Sequence, residues 1–354
     1  MPHDTTSPKK GFGSFFSYID PKSELLADSK NQFNPLNNTL FYNGRHAIKY
    51  IVELIQKEKN INTFWLPEYY CQHVTHWLKQ NYSNIKTYPV DPKNPDYCIE
   101  GNLFLENNDI ILVNNFWGIS KCNLDYQNDT VSVIEDHSHG WLSESCLNSS
   151  ADFCVASLRK SVPAPLGGMA WIPNGASLKT IPLEPSPVFE SVWNTVLLAM
   201  QKKAIFETQK GINDSLKTEF LSLINDAELK MHENYELGAF PEQHKETLKQ
   251  YLKIDYGDFK QGNYQHLVSL LKGSEHFDLI SSTETTFGLT LYFDNLDTMN
   301  AFKNHLISQQ IYPSLLWPGN PKTYGYYLNI HIDYRYNKSD MTYMSRIINK
   351  FKQV

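Results

Sequence analysis

Between about residue 40 and residue 175, short apolar runs alternate with amphipathic stretches. The runs include "TFWLP", "IKTYPV", "IILVNN", "VSVIED", "DFCVAS" and "GGMAW". Continuous apolar runs are typical of parallel strands that are buried on both faces. The stretch after Gly44 instead places apolar residues three and four positions apart, which predicts a helix that begins near Gly44 and Arg45. The alternation predicts an α/β domain with a mainly parallel sheet.

The pattern changes further along the chain. Residues 187–275 are predicted to be mainly helical, with charged faces, and after about residue 283 short strands and helices alternate in a compact α+β unit. Ser339 is predicted as the N-cap of the last helix. The first 40 residues are rich in Asn, Pro and Lys, which indicates an irregular arm. We therefore predict an arm over residues 1–40, a large domain over 41–245 and a small C-terminal domain over 246–354.

Composition narrows the possible partners and compartments. The chain of 354 residues has a net charge of −6 and no basic run, which argues against a nucleic-acid partner. No apolar run approaches the roughly 20 residues that a membrane-spanning helix needs. The N-terminus has no apolar signal region, so a cytoplasmic location is the simplest expectation.

The cysteines do not indicate a disulfide framework or a structural metal site. There are five of them, at positions 71, 98, 122, 146 and 154, with no CxxC pair. A zinc site built from His137, His139 and Cys146 is conceivable because histidines two apart can share a face of a strand. A clear further ligand is missing, so we predict no metal site.

Polar side chains follow three of the predicted strands directly. They occupy residues 114–118, 136–139 and 157–160. Ligands of α/β proteins bind in the crevice outside the carboxyl ends of the strands. We therefore expect these three segments to lie around one site.

Each of these polar residues has an ordinary interpretation beside a functional one. Asp136 could cap a helix or form an ion pair, or it could hold the proton of a pyridinium nitrogen. Lys160 could be solvated, or, three residues after Ser157 and just before "PLGG", it could form a Schiff base with an aldehyde. Gly44 and Arg45 begin a helix whose free N–H groups suit an anion, and the Arg45 side chain could be a phosphate clamp, a dimer contact or solvated.

The order of these elements resembles that of the fold-type-I pyridoxal-phosphate enzymes, in particular the aminotransferases related to the DegT/DnrJ/EryC1/StrS sugar aminotransferases. The resemblance covers most of residues 40–350. It is carried by "NGRHAI", "LPEYYCQHV", "ILVNNFWG", "VIEDHSHGW", "ASLRKSVPAPLGG", "IYPSLLWP" and "HIDYRYNKSDM". The most specific part is the pair "EDHSH" and "SLRK" at this separation.

The resemblance implies a fold and a role for each matching residue. The fold is that of the aspartate-aminotransferase-like transferases, with a large domain and a small C-terminal α+β domain. Lys160 is implied as the Schiff-base lysine and proton shuttle, Asp136 as the partner of the pyridine nitrogen and His139 as a contact of the phenolate oxygen. The resemblance implies that the backbone amides of Gly44 and Arg45, together with Ser157, bind the cofactor phosphate. Tyr70 is implied as the side chain that stacks on the cofactor ring, with Cys71 beside it. Phe116 and Trp117 are implied to line the same pocket. Arg335 is either a substrate contact or a surface ion-pair residue.

The sequence also departs from the better-known sugar aminotransferases. Their usual "S-G-T" phosphate turn is Asn43-Gly44-Arg45 here, and the gap between Ser157 and Lys160 is shorter than theirs. The segment after residue 175 lacks the stretch that carries their partner-subunit asparagine. These differences weaken the inference about the substrate more than the inference about the cofactor.

The resemblance implies a homodimeric pyridoxal-phosphate-dependent aminotransferase with an amino-acid donor, commonly glutamate. The keto acceptor by analogy is a nucleotide-linked keto-sugar for a polysaccharide or a natural product. A second interpretation keeps the cofactor and changes the reaction to dehydration or to amino-acid chemistry, although the dehydratase branch carries histidine in place of Lys160. A third is a catalytically inactive binding or regulatory protein, and a fourth is an unrelated two-domain α/β protein.

Overall fold

The computed structural model describes residues 11–13, 15–27, 37–94, 103–120, 130–209, 213–280 and 287–352. Much of the predicted arm, together with Cys98 and Cys122, lies outside these residues. None of the described helices is both long enough and apolar enough to cross a membrane.

The first sheet has seven strands and is mainly parallel, as predicted. In chain order they are β1 (Asn38–Phe41), β2 (Phe64–Pro67), β3 (Ile85–Tyr88), β4 (Ile110–Asn114), β5 (Ser132–Asp136), β6 (Phe153–Ala156) and β7 (Gly168–Trp171). Their order in space is β1-β7-β6-β5-β4-β2-β3. The pairs from β3 through β2, β4 and β5 to β6 are parallel, whereas β7 runs antiparallel to both β6 and β1.

The helices fall into three groups along the chain. The first group is α1 (Glu24–Ala27), α2 (Gly44–Glu58), α3 (Gln72–Asn81) and α4 (Glu144–Leu147). The helical region predicted after residue 187 contains α5 (Pro187–Thr208), α6 (Asp214–Glu233), α7 (Glu242–Leu252) and α8 (Tyr256–Leu270). The last two are α9 (Leu296–Ser308) and α10 (Lys338–Ile348).

The C-terminal unit is built on a second, antiparallel sheet. Its strands are β8 (Asp278–Ile280), β9 (Leu289–Phe293), β10 (Ser314–Leu316) and β11 (Tyr326–Ile330), in the order β10-β11-β9-β8. The mixture of strands and helices in this region is therefore as predicted, although strand β8 was not predicted. The predicted N-cap of α10, Ser339, is wrong. Asn337 caps the helix instead, because its side chain accepts from Asp340 N while Asp340 Oδ2 accepts from Asn337 N, which satisfies two backbone donors at once.

Alternate residues of the strands enter different apolar clusters. Val155 and Ala170 pack with α2, whereas Cys154 and Trp171 pack with α5. Both faces of the sheet are therefore covered, which explains the continuous apolar runs in the sequence. The described part of the N-terminal arm also contributes to the core, since Phe12 and Phe16 are buried.

The cap and the apolar stripe of helix α2 place its N-terminus beside the carboxyl ends of the strands. Asn43 caps it, with Oδ1 accepting from His46 N at 3.0 Å. Its apolar stripe, Ala47, Ile48, Ile51, Val52, Leu54 and Ile55, is buried against the sheet. The first N–H groups of α2 consequently lie beside the turn that follows β6, where Gly44 approaches Ser157.

Candidate active site at the carboxyl ends of the strands

The carboxyl ends of β5 and β6 and the first turns of α2 and α3 enclose a cavity of about 140 Å³. Six of the residues predicted from the sequence line it, namely Gly44, Arg45, Cys71, Asp136, Ser157 and Lys160. The strand-end segments thus meet at one site, as expected for an α/β sheet.

Asp136 is held by two hydrogen bonds. Its Oδ1 accepts from Ser138 N at 2.8 Å, and its Oδ2 accepts from the Tyr70 hydroxyl at 2.5 Å. Burial, followed by the negative charge of Asp136, raises the pKa of Tyr70 well above its ordinary value. The phenol therefore stays protonated and donates a hydrogen bond to the carboxylate. Tyr70 therefore contacts the carboxylate directly. Its ring lies edge-on to Trp317 at a centroid distance of 5.7 Å.

His139 lies next to Lys160, with 3.1 Å between its Nε2 and the lysine Nζ. Burial and, after it, the charge of Lys160 hold the pKa of His139 well below its usual range. The imidazole is therefore neutral near pH 7, and its Nε2 can accept a hydrogen bond from the lysine. This contact was not foreseen, because sequence reasoning assigned the two residues separate contacts with a cofactor.

Three aromatic rings surround His139. The ring centroids of Phe287, Trp317 and Trp117 lie 4.0, 5.0 and 5.4 Å from that of His139, and all three are stacked on it. Trp117 was predicted as a pocket residue, and Phe116 packs against it at 5.8 Å. Phe287 and Trp317 were missed as site residues because they come from the C-terminal unit, about 150 residues further along. The only signal was the segment "IYPSLLWP", which carries Trp317.

Trp117 and Trp317 both have positive φ angles, 58° and 45°. This left-handed region is unfavourable for a bulky residue and is retained only where the surroundings fix it. Trp117 is fixed by a hydrogen bond from its indole nitrogen to Pro92 O at 2.8 Å. Two of the five described non-glycine residues with positive φ are therefore the rings that cover His139.

The opposite end of the cavity is suited to an anion. The first N–H groups of α2, from Gly44 and Arg45, have no acceptor within the helix. A Cβ added at Gly44 would lie 3.0 Å from the Ser157 Cβ, so the serine is packed against this turn. The N-cap of α3, Cys71, provides no side-chain cap, so a second helix N-terminus opens onto the same cavity. Two helix N-termini and a serine side chain therefore line the same cavity, and helix N-termini attract anions.

A buried donor points to the same chemistry. Asn43 lines the cavity, and its Nδ2 has no hydrogen-bond partner among the described residues, although its Oδ1 caps α2. Burying such a donor without an acceptor costs about 1–3 kcal/mol. An oxyanion in the cavity would remove this cost.

Helix α6 supplies a wall that the sequence did not reveal. Arg45 Nη2 donates to Met231 O at 2.9 Å, its Nη1 lies 3.1 Å from His232 Nδ1, and Arg159 pairs with Glu228. Burial, followed by the charge of Arg159, lowers the pKa of Arg45. The polar residues of α6 have the spacing of an ordinary solvent-exposed helix face, so no sequence signal indicated that they line the cavity. Arg45, Arg159 and Lys160 outnumber the acids Asp136 and Glu228 in this lining, which favours an anionic ligand.

Arg335 lies away from this cavity. Its guanidinium pairs with Asp333 through two hydrogen bonds of 2.7 Å and donates to Phe15 O at 2.7 Å. Its side chain is only 7 % exposed. Arg335 was considered as a substrate contact or as a surface ion-pair residue. The structure shows an ion pair, and this pair is buried.

The zinc set considered from the sequence is divided between two faces of the sheet. His139 contacts Lys160, whereas His137 Nε2 lies 3.3 Å from Glu135 Oε2. The described cysteines, Cys71, Cys146 and Cys154, are all free thiols.

No protein-family model and no curated protein matches the sequence. The structure does match solved structures over nearly its whole length. The sugar aminotransferase CalS13 from Micromonospora echinospora is 12% identical, with a TM-score of 0.55 over 97% of this chain and 99% of that one. The aminotransferase TlmJ from Streptoalloteichus hindustanus is 9% identical, with a TM-score of 0.55 over 96% and 98%.

A third neighbour catalyses a different reaction. It is a GDP-4-keto-6-deoxymannose-3-dehydratase solved with a trapped PLP–glutamate geminal diamine, 12% identical, with a TM-score of 0.56 over 95% of this chain and all of that one. At these identities the likeness concerns the fold. The chain has the α/β transferase fold of these enzymes, and at that level the resemblance drawn from the sequence is confirmed.

Proposed function

We propose that the protein is a pyridoxal-phosphate-dependent aminotransferase. The observation that carries the proposal is the single cavity lined by the Asp136 carboxylate, the Lys160 amine, Ser157 and the N-terminus of α2. An acid, a primary amine and an anion site are the three groups that this cofactor needs from a protein. The likeness to CalS13 and TlmJ supports the same activity.

The residues present fit the cofactor. The N-terminus of α2, Ser157 and the unsatisfied Asn43 Nδ2 would hold its phosphate. Asp136 would hold the protonated ring nitrogen, because a carboxylate that already accepts from Ser138 and Tyr70 still has lone pairs. When bound, the cofactor supplies an electron sink for the carbanion formed at the substrate Cα.

Lys160 and its neighbours would transfer and position the protons of the reaction. Lys160 would be the covalent attachment point and, once released, the base that moves the proton from the substrate Cα. The neutral His139 accepts from the lysine Nζ and so orients it. Trp117, Phe287 and Trp317 stack on His139, and their rings exclude water from the imidazole.

The proposed substrates follow from the neighbours and from the charge of the cavity. We propose glutamate as the amino donor and a keto-sugar linked to a nucleotide as the acceptor. Both are anionic, in agreement with the excess of cationic side chains in the lining. The dehydratase neighbour makes dehydration of a keto-sugar the second candidate. The retained Lys160 favours amino transfer, because that reaction needs a base at the substrate Cα.

We also propose that two copies form a homodimer in the cytoplasm. Helices α5 and α6 pack together and leave apolar side chains exposed, with Leu198, Ile205, Leu221 and Leu229 between 44% and 57% accessible. A contiguous exposed apolar patch is typical of an interface, and we propose that these four side chains form one. Light scattering would measure the mass, and a monomer at micromolar concentration would contradict this part of the proposal.

A single-turnover assay tests the activity. The protein is loaded with pyridoxal phosphate and mixed with glutamate, and the 2-oxoglutarate released per chain is measured. We expect release close to one equivalent for the wild type, and none for Lys160→Ala, whereas Lys179→Ala, an exposed lysine, should behave as the wild type. A loaded wild type that releases no 2-oxo acid from glutamate or from any other amino acid would contradict amino transfer.

A further inference from the structure

A second polar cluster lies on the other face of the sheet, behind Asp136. Strands β5 and β6 are parallel, and Glu135 pairs in register with Cys154. His137 continues the ladder, since its N donates to Val155 O at 2.8 Å. Because side chains alternate between the faces of a strand, Glu135 and His137 point to the face opposite Asp136. The register therefore brings a carboxylate, an imidazole and a thiol together.

The three side chains are close together and buried. Glu135 is 8% exposed, while His137 and Cys154 are completely buried. One carboxylate oxygen, one imidazole nitrogen and the thiol sulfur all lie within 4.8 Å of one another. His137 Nε2 and Glu135 Oε2 are 3.3 Å apart, close to the roughly 3.5 Å that separates two ligands of a tetrahedral zinc ion.

We propose that Glu135, His137 and Cys154 form a structural zinc site. Mixed thiolate, imidazole and carboxylate donors select zinc over magnesium or calcium, which prefer oxygen ligands alone. Binding would release the proton of the Cys154 thiol to solvent.

Each ligand has an outer partner that fixes its orientation. The Ser149 hydroxyl donates to Glu135 Oε2 at 2.6 Å and lies 3.2 Å from Cys154 Sγ. The Asn115 side-chain amide lies 3.3 Å from His137 Nδ1 and contacts Ser143 Oγ and Ser145 Oγ at 2.9 and 2.7 Å. Such outer partners accompany metal ligands in proteins.

The amide of Asn115 determines which nitrogen of His137 can bind a cation. When its carbonyl oxygen faces the ring, it accepts the Nδ1 proton and also accepts from both serine hydroxyls. His137 Nε2 then has an unshared pair directed at Glu135, and the imidazole nitrogen and the carboxylate repel each other unless a cation lies between them. When Asn115 Nδ2 faces the ring, which is the orientation in the structure, the Nε2 proton faces Glu135 and the pair needs no metal. The zinc content distinguishes the two arrangements.

A metal here would fix the strand ends that form the active site. Glu135 and His137 flank Asp136 in the sequence, and Cys154 lies three residues before Ser157. The ion would therefore hold β5 and β6 together directly behind the cavity. All three ligands are buried, so we assign the site a structural role.

The test is the zinc content of the purified full-length protein, followed by zinc-edge X-ray absorption. We expect about one zinc per chain, with sulfur near 2.3 Å and lighter atoms near 2.0 Å. His137→Ala and Cys154→Ser should lower the content about tenfold or more. Cys71→Ser, a thiol on the other face, should keep it. Lys160→Ala should also keep it, which separates this proposal from the proposed activity.

Two results would overturn the proposal. One is a wild type that holds less than about a tenth of a zinc per chain after incubation with zinc and desalting. The other is bound zinc whose spectrum shows no sulfur neighbour. Both concern the wild type, so they stand even if a variant fails to fold.

Discussion

The Tyr70 hydroxyl donates a 2.5 Å hydrogen bond to Asp136 Oδ2, the carboxylate proposed to hold the ring nitrogen of the cofactor. Both residues are buried, at 1% and 6% exposure. The bond draws charge from Asp136 and occupies one lone pair of its Oδ2, so the carboxylate would be a weaker acceptor for the ring nitrogen. Tyr70 therefore competes with the cofactor for Asp136 while it holds the carboxylate in place.

Tyr70→Phe is expected to bind pyridoxal phosphate more tightly. Removal of the competing donor should increase the affinity by about 1 kcal/mol, or roughly fivefold. The protein without cofactor should lose about 1–3 kcal/mol of unfolding free energy, because Asp136 loses a buried donor. Titration calorimetry and urea unfolding measure the two effects. An affinity that falls more than tenfold would show that Tyr70 holds the cofactor instead of competing with it.

His46 makes the stability depend on pH. Burial lowers its pKa to about 3, so below pH 6.5 the unfolded chain takes up a proton that the folded chain refuses. The contribution of His46 is therefore complete above pH 6.5 and is lost as the pH falls towards 3. Between pH 7.5 and 5.5 the wild type should lose about 1.4 kcal/mol more than His46→Leu, measured by urea unfolding of both. Equal losses would contradict a neutral buried His46.

Gly168 is predicted to be essential for the anion-binding turn. A Cβ at this position would lie 2.1 Å from Asn43 O and 2.9 Å from Gly44 N, both of them backbone atoms. Gly168→Ala should therefore displace the start of α2, cost about 3 kcal/mol of stability and abolish phosphate binding. Gly262→Ala is the matched control, since nothing lies within 4 Å of its Cβ in the middle of α8. It should stabilise the protein by about 0.5–1 kcal/mol, as read from thermal unfolding. A normal Gly168→Ala protein would refute the close approach.

Glu228 reduces the positive potential of the cavity through its pair with Arg159. Glu228→Gln should bind pyridoxal phosphate a few-fold more tightly at low ionic strength, and the gain should shrink as salt screens the charges. Glu242→Gln, which changes an exposed acid on α7, should leave binding unchanged. Weaker binding by Glu228→Gln would show that the ion pair positions Arg159 and that its charge is secondary.

The sequence predicted elements that depend on local pattern, and it missed features that depend on register and on distant segments. Asp136, Ser157 and Lys160 were found because strand ends can be recognised from apolar runs. Trp317 and His232 were not assigned to the site, because only tertiary packing brings the C-terminal unit and α6 to the cavity. The Glu135–His137–Cys154 cluster was missed for a similar reason. The pairing of β5 with β6 selects Cys154 over Cys146 and separates His139 from His137.

The most direct test of the proposed function is to locate the covalent attachment. The protein is incubated with pyridoxal phosphate and reduced with borohydride, and its peptides are mapped by mass spectrometry. The account predicts that Lys160 carries the pyridoxyl group in nearly every chain, and that Lys160→Ala carries none at a specific position. Modification scattered over exposed lysines, with Lys160 unmodified, would contradict the proposed cofactor and every role derived from it.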